Sequence, residues 1–140
     1  YRSRLRQRKF MSNLASPSLQ ALVVAEFLAN GGYDHHLRAC RRTYSQRTHQ
    51  LTESVIRYFP NGTKVSRARG GYLMWIELPG SVDTTAIYPQ AVRAGFTFAP
   101  GAIFSSHGEF RNCLRLSASG FSCSSEWAVK KLADLIHSMN

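Results

Sequence analysis

The sequence predicts an α+β chain, with long helices first and then a small sheet that carries helices on one face. Three observations support this. Apolar residues recur at helical spacing through "SPSLQALVVAEFLANGG", and then at every seventh residue from Leu37 to Tyr58. Beyond "FPNGT" the period shortens to that of strands, in "KVSRA", "GYLMWIEL", "FTFAP" and "NCLRLSAS". Helical spacing returns in "DTTAIYPQAVRAG" and "SSEWAVKKLADLIHSM", so the second half reads strand–strand–helix–strand–strand–helix.

The first helix opens at Ser16, with Pro17 in its first turn, and ends at Gly31-Gly32. The second runs from Tyr33 or Asp34 to Tyr58. Leu37, Tyr44, Leu51 and Tyr58 form its apolar stripe, widened by Cys40 and Val55, and arginines fill the other face. Pro60 stops this helix and Asn61-Gly62 turns the chain. A long helix of this polarity is expected to bridge two lobes. Two strands follow, joined through Arg69-Gly70-Gly71. Asp83 caps the next helix and Gly95 closes it, and Pro89 is expected to interrupt it or mark an early turn. "FTFAP" runs into a turn at Gly101, and "NCLRLSAS" is the last strand. The final helix is expected to use Ser124 as its cap, with Glu126 near the positive end of the dipole and Ala128, Leu132, Leu135 and Met139 on one face. The expected divisions are 1–32, 33–60 and 61–140.

The bulk numbers bound the function. A chain of 140 residues with 44% hydrophobic content suits one globular domain with a core. No apolar run approaches the roughly 18 residues of a membrane span. "YRSRLRQRKFM" lacks the apolar region of a secretory signal, and with no Met at position 1 the start reads as a cut. Cys40, Cys113 and Cys123 are odd in number and in no CxxC spacing, which points to reduced thiols and a cytoplasmic protein. His35, His36 and His49 lack the spacing of a zinc site. The net charge of +10 suits polyanions, or surface that acidic partners cover. No zinc finger, RNP motif or helix-turn-helix accompanies it.

Catalytic signatures are absent: there is no GxSxG elbow, P-loop, GxGxxG or paired carboxylates. Cys113 reads as a buried thiol, and His107 and His35-His36 read as surface groups. Two features point to binding. "APGAIFSS" turns the backbone sharply at Pro100-Gly101. Arg115 puts a cation into an otherwise apolar strand, "CLRLSAS", which is costly without a partner. Its anion is either a ligand carboxylate or phosphate gripped by the guanidinium fork, or an internal glutamate such as Glu77 or Glu109.

The ordered set "SPSLQ…EFLANGGYDHHLRACRR", "ARGGYLMWIELP", "FTFAPGAIFS" and "FRNCLRLSAS" resembles class I/II aminotransferase-like proteins of pyridoxal-phosphate (PLP) fold type I. It looks most like the C-terminal part of the aminotransferase-like domain of MocR-type regulators of the GntR family. The resemblance covers essentially the whole chain. It implies the small C-terminal domain of that fold, preceded by connecting helices. It implies that Arg115 binds the carboxylate of an amino acid or other carboxylate effector, and that Leu73, Ser16 and Pro17 line the pocket. It also implies PLP in the intact protein, a homodimer, no membrane, and DNA bound through an upstream winged-helix domain. The family's Schiff-base lysine sits in a motif like SxSKxxxPGxRxG, which has no match here. The lysines are Lys9, Lys64, Lys130 and Lys131. No catalytic residue and no covalently held cofactor are therefore expected in this chain. A fragment of a catalytic aminotransferase and a basic nucleic-acid-binding module are the alternatives.

Overall fold

The structure is a computed structural model that describes residues 1–13, 18–66, 70–80 and 82–139. It divides into two units, residues 1–39 and 40–140. In the first, helix α1 (Arg2–Asn13) precedes α2 (Ser18–Ala29) and the start of α3 (Gly32–Tyr58). The sequence does not announce α1. Its arginines at alternate positions leave no apolar stripe, although Arg, Gln, Lys and Leu all favour helix. Helix α2 is mostly apolar, broken by Ser18, Gln20 and Glu26, and has no buried residue. Its Phe27 sets its ring at 6.5 Å from Tyr33 and 6.4 Å from His36, around the turn where Asn30 Oδ1 accepts the Gly32 N–H.

The second unit holds a four-stranded antiparallel sheet of β1 (Lys64–Val65), β2 (Leu73–Glu77), β3 (Ala99–Pro100) and β4 (Cys113–Ser117). Their order across the sheet is β1-β2-β4-β3. Strand side chains alternate between faces. Met74 and Ile76 of β2 and Leu114 of β4 turn into a core shared with Leu51 and Val55 of α3. Helix α4 (Thr84–Arg93) adds Ile87 and helix α5 (Glu126–His137) adds Leu132 and Ile136. Each such side chain contributes about 1.5–3 kcal/mol of burial. Strand β1 covers Lys64–Val65 of "KVSRA", with Ser66 still donating its N–H to Trp75 O at 2.9 Å, and "FTFAP" is a strand only at Ala99–Pro100. Residues 67–69 lie outside the described residues.

Helix α4 begins and ends as its sequence specifies. Asp83 Oδ1 accepts the Thr85 N–H at 2.9 Å. At the other end Gly95, at φ 89°, donates to Val92 O, and Phe96 donates to Ala91 O. This paired closure needs a left-handed residue, which glycine supplies without strain. The expected break at Pro89 does not occur, and the proline lies inside the helix. Pro89 and Thr85, whose carbonyl loses its helical partner, are not buried, so water can take that bond.

The start of α5 also differs from expectation. The cap belongs to Ser122, which opens a short 3-10 turn (Cys123–Ser125) in a reciprocal capping box with Ser125, and α5 begins only at Glu126. The buried face is Val129, Leu132, Ala133 and Ile136, one position off the expected stripe except at Leu132. Glu126 Oε1 accepts bonds from Ser54, Arg57 and Tyr58, and so ties α5 to α3.

Asp83 makes a second connection, taking Arg111 Nη2 at 2.9 Å and Nε at 3.1 Å on Oδ2. Burial pushes its carboxyl up, but the hydrogen bonds from Thr85 and the Arg111 guanidinium outweigh this and hold it below the usual carboxylate range. A depressed folded-state pKa stabilises above the unfolded value, roughly pH 4, and that contribution is lost as pH falls through the folded value. Asp83→Asn keeps a competent cap but removes the charge. It is expected to cost about 1 kcal/mol or less at pH 7, because Arg111 is exposed. Near pH 3 the gap between wild type and variant should shrink, which urea midpoints at the two pH values will measure.

Candidate functional site

The sheet face opposite the core carries the candidate site. On β2 it presents Leu73, Trp75 and Glu77, and on β4 it presents Arg115 and Ser117. Register sets Trp75 opposite Arg115, Arg115 opposite Ala99, and Leu73 opposite Ser117. Arg115 therefore lies in the middle of a row, with a large aromatic on one side and a small residue on the other.

The segment after β3 closes over this row. Residues Gly101–Phe104 form a 3-10 turn that seats against the chain at Phe110–Cys113. Phe104 meets Trp75 edge to face with ring centres 5.5 Å apart, and Phe110 does so at 5.7 Å. The Arg115 guanidinium carbon lies over the Phe104 ring, 4.6 Å from its centre. Phe110 holds a left-handed backbone, φ 60°, uncommon for a bulky residue, while its carbonyl accepts the Cys113 N–H at 2.9 Å. Such a conformation costs on the order of 1–3 kcal/mol and persists only where its surroundings enforce it.

Both candidate internal partners of Arg115 are engaged elsewhere. Glu77 pairs with Lys64 at 3.0 Å across β1 and β2. Glu109 accepts from Ser105 Oγ at 3.2 Å, while that oxygen accepts the N–H groups of His107 and Glu109. Among the described residues the Arg115 guanidinium has neither an ion pair nor a hydrogen bond. It is partly buried, on a rigid strand, with its donors unspent.

The other titratable groups do not assemble a reaction site. Burial pushes the Cys113 thiol up, and the Glu77 carboxylate adds to this. A thiol so disposed is a poor nucleophile. His107 is exposed and shares a bond with Ser106. No cluster among the described residues has the make-up of a metal site. Leu73 lies on the same face as Arg115 and is 42% exposed, open to a ligand. Ser16 and Pro17 lie outside the described residues. Nothing in the sequence singles out Trp75, Phe104 and Phe110 as neighbours of Arg115. The two-residue alternation from Leu73 to Trp75 was the available signal, but the pairing register was needed to use it.

Lys64 is paired with Glu77 and Lys131 with Asp134, and all four lysines are exposed. PLP followed by borohydride is therefore expected to leave no stoichiometric adduct on any one lysine of this chain. Peptide mapping checks this, and a single fully labelled lysine would contradict it.

No family model matches the chain. Similarity to individual proteins is nevertheless extensive. The chain is 36% identical over 118 residues to YjiR, an HTH-type transcriptional regulator of Escherichia coli, covering 84% of this chain and 25% of that protein. It is 30% identical over 114 residues to 2-aminoadipate transaminase of Thermus thermophilus, covering 81% of this chain and 28% of the relative. The structure superposes on LysN, the α-aminoadipate aminotransferase of Thermus thermophilus, with a TM-score of 0.81 and 26% identity, over 95% of this chain and 34% of that one. The chain thus spans between a quarter and about a third of the length of the relatives it matches.

Proposed function

From a chain with the sequence and fold of the C-terminal part of a fold type I aminotransferase-like protein, we propose that Arg115 grips the carboxylate of an amino acid or other carboxylate effector in a PLP-dependent regulator of the GntR/MocR type. One observation carries this reading. Among the described residues no acidic side chain pairs with the Arg115 guanidinium, and Glu77 and Glu109 are engaged elsewhere. A planar guanidinium held this way takes a carboxylate through two parallel bonds.

In the intact protein PLP would supply an aldehyde that takes up an amine and a ring that stores electron density. Its anchoring lysine and the DNA-binding head would come from outside this chain. This chain's share is the grip and the orientation: Arg115 fixes the carboxylate end of the ligand, Leu73 borders it, and the α+β unit moves as one body when the ligand is held. The exposed apolar side chains of α2, Leu19, Leu22, Val23, Val24, Phe27 and Leu28, suit burial against a second subunit of a homodimer. In a regulator the ligand's preference for one arrangement would bias the DNA-binding domains.

The similarity to 2-aminoadipate transaminase favours a second reading, in which the same grip serves a catalytic aminotransferase. Intact mass and peptide mapping of the native polypeptide separate the two. A winged-helix head with an SxSK-type lysine supports the regulator. A cofactor domain without that head supports the enzyme. A native product beginning near Tyr1 would overturn both.

A further inference from the structure

We infer that Phe104 is the positioning residue of Arg115, its ring face holding the guanidinium at the angle a carboxylate requires. The inference rests on the carboxylate reading above. A cation on a strand can be oriented in two ways. An acidic partner orients it but occupies the N–H donors that a ligand needs. An aromatic face orients it from above and leaves all five donors free around the rim of the guanidinium.

The second arrangement is the one built here. The guanidinium carbon lies 4.6 Å from the Phe104 ring centre, and no acid among the described residues competes for it. The ring is itself held in place. Trp75, directly across the register from Arg115, meets the Phe104 ring edge to face and takes Phe110 in the same way. The turn bearing Phe104 is pinned where Gly101 lies against the Phe110 and Cys113 backbone. Phe104 is 42% exposed, so burial alone does not account for an aromatic ring at this place.

The test uses the full chain with arginine-selective 15N and 13C labels and propionate as the probe, and calorimetric titration of propionate gives the affinity of every variant, Arg115→Ala included. In the wild type, ring currents from Phe104 shift the Arg115 δ-methylene protons upfield, and propionate moves the Arg115 Nε signal. Phe104→Leu conserves apolar bulk without a π face. It is expected to abolish the upfield shift and weaken propionate by about three- to tenfold. Phe104→Tyr and Phe104→Trp should restore both, which a purely space-filling role would not require. Phe104→Leu binding propionate as the wild type does, while Arg115→Ala loses it, overturns the positioning role and leaves the carboxylate reading intact. Arg115→Ala binding like the wild type, or a wild type that shows no response, overturns the carboxylate reading and the inference with it. Should Phe104→Leu not fold, the comparison of Phe104→Tyr with Phe104→Met decides on the same two readouts.

Discussion

Replacing Gly101 by alanine is expected to destabilise the second unit by about 3 kcal/mol, the upper end for overpacking. A β-carbon there would stand 2.2 Å from the Phe110 carbonyl oxygen and 2.7 Å from both Cβ and the carbonyl oxygen of Cys113. Two of these atoms are backbone, and neither moves cheaply. Phe110 already holds φ 60°, and the Cys113 carbonyl is fixed by Thr84 Oγ1, which donates to it at 2.7 Å. The chain must therefore lift the turn that carries Phe104. Urea denaturation gives the stability change, and Trp75 fluorescence reports whether its two aromatic neighbours have left. Gly120 is the control. Nothing lies within 4 Å of a β-carbon there, so Gly120→Ala should stay within about 0.5 kcal/mol of wild type. A Gly101→Ala protein as stable as that control would mean that the close approach does not govern the turn.

Arg115→Ala is expected to weaken carboxylate binding by on the order of 2–5 kcal/mol, as for cutting a desolvated charge pair. Its effect on stability should be small, about 1 kcal/mol, because the guanidinium rests on the half-exposed Phe104 ring. Those two outcomes together discriminate. An arginine in an internal salt bridge would reverse them, with a large loss of stability and little change in binding. Arg115→Lys keeps the charge and loses the fork, so it should fall between wild type and alanine. Calorimetric titration with propionate and thermal melts of the same three proteins make the comparison.

The sequence announces most elements through local chemistry. Asp83 and Gly95 bound α4 because a cap and a left-handed closure are decided within a few residues. Leu51 and Val55 face the core because the stripe of α3 is regular. Arg115 is conspicuous because a lone cation in an apolar strand has to be explained. What stays hidden depends on partners distant in sequence. Ser122 rather than Ser124 begins the last helical stretch because a reciprocal bond to Ser125 is available, and neighbouring serines look alike on paper. The α1 helix carries no apolar stripe by which to find it. The aromatic support of Arg115 depends on antiparallel register, which brings Trp75 and Arg115 together across 40 positions, and on a turn that only close backbone contact fixes.

The alternation of β2 and β4 has a consequence for how such a protein diversifies. Met74 and Leu116 face one way and hold the fold, while Leu73 and Ser117, paired beside them, face the other. Changes on faces that share no partners add nearly independently. On the carboxylate reading proposed above, replacements at Leu73 would alter what is recognised while the core face behind it, Met74 and Leu116, is inherited unchanged.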